Sequence, residues 1–151
     1  MIEDFQLNTF LPTKVLMPDL GDKQRASELL EKFVGGEQLV KIQAEDWVAT
    51  LRKGQHLAIV EGTGETGGVA IDEAMKHVKS MGLDLNNAEG LLACISISSA
   101  SSDELYESLT AFSRFLDENL TIFLKTKAFM WAASRNSGQY LYKFRMLIVT
   151  K

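Results

Sequence analysis

Gly62, Gly64 and Gly67 stand as G-x-G-x-x-G inside HLAIVEGTGETGGVAID, between an apolar run and a stretch that reads as a helix. Such a loop can bring backbone N–H groups and a helix N-terminus to a pyrophosphate, so the first chemistry to weigh is dinucleotide binding. The surrounding residues argue against it. Glu61 and Glu65 put negative charge where the pyrophosphate would lie. The acid that would hold a ribose belongs near the end of the second strand, where LLACISISSAS ends in serines. Asp84 has about the right separation but falls in the loop before that strand, and Lys76 lies too far along the helix for a G-x-x-x-x-G-K-[ST] loop. The glycines are therefore expected to form a wide turn that permits positive φ and close packing of strand on helix.

The remaining reactive side chains are scattered. His56 and His77 are far apart and lack Cys or carboxylate partners at ligand spacing, so no metal site is expected. The single cysteine, Cys94, sits in the apolar run LLACISIS and reads as a small buried residue without a base to activate it. It excludes an internal disulfide and fits a reducing compartment. SISSASS carries five serines in seven residues, with no His or Lys arrangement to make one a nucleophile; ending a strand and capping a helix explain them.

Lys125 and Lys127 alternate on one predicted strand, and Lys143 and Arg145 on the next. If these two strands pair as a hairpin, a basic stripe crosses one sheet surface of an otherwise acidic chain. That stripe is a candidate docking face for an acidic partner, against the plainer reading of a solvated face that discourages edge pairing. FMWAASRNSG, with Phe129, Met130 and Trp131 near a turn, is a second candidate contact patch, or else a seal on the core edge.

The elements that would hold these groups follow from periodicity. Residues 1–22 show no sustained period, and TKVLM within them is a weak strand candidate. From Lys23, the positions Ala26, Leu29, Leu30, Phe33 and Val34 mark one helical stripe ended by Gly35-Gly36. A second helix is expected over 45–53, with Trp47, Val48 and Leu51 on one face. Beyond it come a strand (55–60), a helix (69–81) with Ile71, Ala74, Met75 and Val78 inward, and a strand (91–98) apolar on both faces near its start.

Ser101 and Glu104 form a capping-box pattern ahead of a helix with Leu105, Leu109, Phe112 and Leu116 on one face. Strands over 121–127 and 139–150 close the chain, the latter with Tyr140, Tyr142, Phe144, Met146 and Ile148 pointing one way. The order β-α-β-α-β-β predicts an α+β fold: one mixed sheet with both crossover helices on one face, in two layers. The helices before residue 54 are the natural cover for the other face.

The chain has 151 residues, 46% apolar and 24% charged, with a net charge of −4, which suits one globular domain and gives no global pull toward nucleic acid or anionic membrane. The start, MIEDFQLNTF, carries acids where a secretory signal has basic residues, and no span is long and apolar enough for a membrane helix. A cytoplasmic protein is expected.

DWVATLRKGQHLAIVEGTGETGGVAIDEAM resembles the C-terminal domain of the bacterial tubulin homologue FtsZ, where a short helix precedes a strand ending in G-[ST]-G, further glycines and a helix. AEGLLACISI resembles that family's second strand, DELYESLTAFSRFL its second crossover helix, and LTIFLKT with KFRMLIVT its closing strands. The resemblance covers about residues 40–151, leaving 1–40 as an N-terminal extension with one helix and 41–151 as the FtsZ-like domain. It implies that the glycine segment belongs to the fold and that GTP is held by a separate preceding domain. With only about 40 residues ahead of the matching region, the chain is expected neither to bind nor to hydrolyse GTP by itself, and no cofactor is expected.

The family's synergy loop, N-x-D-x-x-D, completes the active site of the next subunit in a filament. KIQAEDW occupies its place here: Asp46 matches the last acid, Ala44 or Gln43 stands where the first would be, and the asparagine is absent. Asp46 and Glu45 equally suit the first turn of a helix.

The resulting expectation is a non-catalytic protein–protein interaction domain, associated with a tubulin-like filament or with cell division, or self-associating. Its candidate contact residues are Lys125, Lys127, Lys143, Arg145 and Trp131, with Asp46 as a synergy-loop-like acid. The alternative is a small oligomeric enzyme of chorismate-mutase-like fold with a small-molecule site between subunits, lined by Lys143 or Arg145. Such an enzyme would be a trimer in light scattering.

Overall fold

The computed structural model describes residues 7–19, 22–34, 37–40, 43–97, 102–119, 128–135 and 142–151. Its elements run β1 (Thr9–Pro12), α1 (Thr13–Leu16), α2 (Lys23–Val34), β2 (Glu37–Val40), α3 (Ala44–Leu51), β3 (His56–Gly64), α4 (Gly67–Ser80), β4 (Gly90–Ile97), α5 (Ser102–Asn119), β5 (Ala128–Arg135) and β6 (Tyr142–Thr150). The strands form one mixed sheet in the order β1-β3-β6-β4-β5-β2. β4 and β5 are parallel, and every other neighbouring pair is antiparallel.

Alternation along the strands sends successive side chains to opposite faces, and each face has its own core. On one, Ala70, Ile71, Ala74 and Val78 of α4 and Phe112 and Phe115 of α5 pack on Val60, Ala93, Ile95, Phe144 and Met146. Phe144 meets the edges of both α5 rings, at centroid distances of 5.8 and 5.2 Å. On the other, Leu29, Leu30 and Phe33 of α2 and Trp47 and Leu51 of α3 pack on Leu57, Ile59, Leu92, Cys94, Leu147 and Val149. Both crossover helices therefore share one face, and α2 and α3 cover its opposite. The expected α+β sheet is present, with a helical layer on each side of it.

All eight residues of β4 are buried, as a central strand with near-continuous apolar character requires. Tyr142, Phe144, Met146 and Ile148 do point to one face, and Tyr140 lies outside the described residues. Several expectations need correction. TKVL is not a strand: it forms the single turn of α1, and the strand is the preceding TFLP. β2 was not foreseen. α4 begins at Gly67, two residues earlier than its apolar stripe suggests, because Thr66 caps it. On α5, Leu109 faces solvent and Phe115 joins Phe112 inward; the side chains of Leu105 and Leu116 lie outside those described.

The strand after α5 lies at Ala128–Arg135, overlapping the stretch read as a turn-side aromatic patch. Residues 121–127, where it was placed from sequence, lie outside the described residues. β5 and β6 do not form a hairpin, because β4 lies between them. Residues 1–40 supply both β1, paired with β3, and β2, paired with β5. No helix among the described residues is long and apolar enough to cross a membrane.

Candidate functional site

The glycine turn is filled by its own helix. A Cβ on Gly62 would run into the carbonyl oxygen of Ala70 and the amide nitrogen of Ala74, and one on Gly64 would sit 2.6 Å from Val69 Cγ1. Strand and helix approach so closely that only hydrogen fits between them. The helix start is capped from within the chain: Val69 N–H donates to Thr66 Oγ1 at 3.2 Å, and Ala70 N–H to the Thr66 carbonyl at 3.1 Å. The close-packing half of the expectation holds. The positive-φ half does not, since the glycine at positive φ among the described residues is Gly82, at 70°.

Beside this turn, on the face that carries α2 and α3, β3 and β6 place Glu61 opposite Arg145 and Thr63 opposite Lys143. Arg145 Nη1 donates to the carbonyls of Lys32 (3.0 Å) and Phe33 (3.1 Å), which caps the last turn of α2. Its Nε lies 3.7 Å from Glu61 Oε1, with the two side chains only 18% and 11% exposed. Arg145 is thus committed inside the molecule, clamping a helix end to the sheet. Lys143 is half-buried on the same strand. Lys125 and Lys127 lie outside the described residues, and Trp131 falls in β5, where side chains are not described. With β4 between β5 and β6, the hairpin that would have aligned these bases as one stripe does not exist.

Asp46 is exposed in the first turn of α3 beside Glu45. Glu45 pairs with Lys23 at 3.3 Å, and its carboxyl is held below the ordinary value of 4.5, first by a backbone hydrogen bond and then by the Lys23 ammonium. His77 lies on α4, 3.9 Å from Glu73 one turn earlier. Among the described residues no three His, Cys, Asp or Glu side chains gather as a metal site.

The opposite end of β3 has the more open geometry. A cavity of about 590 Å³ is lined by Thr13, Lys14, Met17, Asp19, Gln55 and His56, together with Pro12, Pro18 and Gly54. It is framed by backbone bonds from Thr13 N–H to the Gln55 carbonyl (2.8 Å) and from Gln55 N–H to the Thr150 carbonyl (2.9 Å). His56 stacks on Phe10 with ring centroids 5.5 Å apart and planes 11° from parallel. No spacing in the sequence marks these residues, because they come from the end of β1, α1 and the loop before β3. The one available signal was His56, and metal-ligand spacing was the wrong test for it.

Solved structures with this arrangement of strands and helices give it a reference. The empty FtsZ dimer of M. jannaschii superposes with a TM-score of 0.59 and 15% sequence identity, over 93% of this chain and 44% of that one. The fold is FtsZ-like. A point mutant of FtsZ from the same organism superposes with a TM-score of 0.51 and 19% identity, over 93% of this chain and 45% of that one. The chain therefore spans less than half the length of the FtsZ chains it matches. Neither a protein-family model nor a curated protein matches the sequence.

Proposed function

We propose that this chain is a non-catalytic protein-interaction domain corresponding to the C-terminal domain of FtsZ, and that it associates with a tubulin-like filament of the division machinery or with copies of itself. The observation that carries this reading is the superposition of 93% of the chain on less than half of FtsZ. The order of its strands and helices from DWVATLRKG onward, which follows that domain, supports the finer assignment. A glycine turn occupied by α4 supports a role without a nucleotide at this site.

Asp46, Lys143, Lys125, Lys127 and Trp131 are the contact residues proposed from the sequence. Arg145 contributes indirectly, by holding α2 against the sheet. Tyr106 on α5, 73% exposed and off the apolar stripe of its helix, is proposed as a second contact, on the face of the sheet opposite Asp46. Co-sedimentation with polymerised FtsZ tests the proposal. Saturable pelleting at micromolar concentration, weakened by Asp46→Ala or Tyr106→Ala, is the expected result. Absence of pelleting together with a strict monomer in light scattering would remove both forms of association.

A further inference from the structure

We propose that the end of the sheet where β3 begins is a docking surface for a short acidic segment of a partner protein, one that carries an apolar residue among its carboxylates. The surface lies at the other end of β3 from Lys143 and does not depend on the filament reading.

Four bases converge there from three parts of the chain: Lys14 on α1, Arg52 and Lys53 just after α3, and Lys151 just after β6. Backbone bonds draw them together. Thr13 N–H donates to the Gln55 carbonyl at 2.8 Å, and Gln55 N–H to the Thr150 carbonyl at 2.9 Å. Lys14, Lys53 and Lys151 therefore each stand one or two residues from the same seam. All four bases are exposed, and the side chains of Lys14, Arg52 and Lys53 enter no ion pair among the described residues. The nearby acids are committed: Glu89 lies 3.7 Å from the Lys151 ammonium, and Asp19 has an interaction of its own. A positive patch thus stands on a chain whose net charge is −4.

The charge on the rest of the molecule narrows the partner. Screening confines the pull of the patch to about 8 Å at physiological ionic strength. A nucleic acid or an anionic membrane extends well past that distance and meets the acidic remainder of the chain. A short segment places its carboxylates on the patch alone. The cavity of about 590 Å³ beside the bases gives it a seat, lined by Lys14, Gln55 and His56. His56 Nδ1 lies 3.2 Å from the main-chain oxygen of Lys151. That oxygen can only accept, so Nδ1 donates and the neutral ring keeps Nε2 as an acceptor. An acceptor among lysines suits a peptide, whose main-chain N–H groups donate between its carboxylates. Its apolar residue is matched by Pro12 and Pro18 in the cavity wall, with the exposed Phe10 and Val15 close to them in sequence.

The test is an NMR titration of the ¹⁵N-labelled full chain with two capped hexapeptides, acetyl-Glu-Asp-Leu-Glu-Asp-Leu-amide and its uncharged counterpart acetyl-Gln-Asn-Leu-Gln-Asn-Leu-amide. Parallel titrations use a short oligothymidylate and phosphatidylglycerol vesicles. The acidic peptide should shift the amides of Lys14, Lys53, Gln55, His56 and Lys151 saturably in the high micromolar to millimolar range. The uncharged counterpart should bind at least roughly tenfold more weakly. Raising salt from about 20 to about 200 mM should weaken the acidic peptide roughly fivefold. The double variant Lys14→Gln/Lys53→Gln should lose roughly tenfold in affinity, whereas Lys143→Gln should bind like the parent chain. Both lysines of the double variant are exposed, so its folding is not at stake. The proposal is overturned if the acidic peptide gives no saturable shifts at these amides, if the uncharged counterpart binds as tightly, or if the double variant binds like the parent. Tighter binding of the oligonucleotide or the vesicles at these residues would overturn it equally.

Discussion

The two ends of β3 differ in what they advertise and in what they contain. At its C-terminal end the chain spells a nucleotide-like glycine motif, and those glycines serve to let β3 lie directly against the backbone of α4. At its N-terminal end no motif is present, and the backbone leaves a cavity of about 590 Å³ with Lys14, Gln55 and His56 in its lining. Glycine spacing therefore reports how closely two backbones approach, whereas a ligand site needs room and polar groups without internal partners. Glu61 makes the same point. It weighed against a pyrophosphate as loose negative charge, yet in the fold it is the nearly buried counter-ion of Arg145.

The sharpest way to break this contrast is to give the sealed end a side chain. Gly62→Val should cost about 3 kcal/mol in urea unfolding, since its side chain collides with α4 backbone that cannot move alone. Gly68→Ala is the control within the same motif. Its Cβ would have only Thr66 Oγ1 near it, at 4.0 Å, so helix propensity should make it stabilising by about 0.5 kcal/mol. Equal losses at both positions would mean that the turn is not closed by packing.

A smaller effect is expected beside the turn. Arg145→Met removes two hydrogen bonds to the end of α2 and leaves Glu61 nearly buried without its counter-charge, which should cost about 2 kcal/mol. Adding Glu61→Gln should recover roughly half of that loss in a double-mutant cycle. Full additivity would show that Arg145 acts only on α2.

The least effect belongs to the exposed pair at α3. The Glu45 carboxyl is depressed in the folded chain, so its contribution is present above its ordinary value of 4.5 and is lost as pH falls through the lower folded value. Acid unfolding of the parent should show a slight extra decline below pH 4.5 that Glu45→Gln lacks, weakened further by salt. An identical acid profile for the two proteins would assign the pair no role in stability.

Much of the fold was legible from residue 56 onward because long segments there keep one period. Ile71, Ala74 and Val78 mark α4, the unbroken apolar run marks β4 as central, and the even positions of β6 mark its inward face. The misreadings share a physical cause, which is that distant partners decided the structure. β1 and β2 are four residues each and exist as strands because β3 and β5 present edges to them. AFMWAASR contains three alanines and a serine, weak strand formers, but lies parallel to β4 along eight paired positions. At the candidate sites, the tight turn was legible in its glycines. The cavity was not, because Thr13 and His56 meet only after β1 has paired with β3.

The sheet order carries a consequence for how the protein is made. β6, the last of the six strands in sequence, lies between β3 and β4, and those two do not touch each other as strands without it. A nascent chain therefore holds two half-sheets with exposed inner edges until β6 has left the ribosome. Closure must then bring Thr150 alongside His56, a pairing across most of the chain, so assembly waits on non-local contacts rather than on its helices. Any chain that ends before β6 is left with two open edges at the centre of its core, suited to recruiting another strand in place of its own.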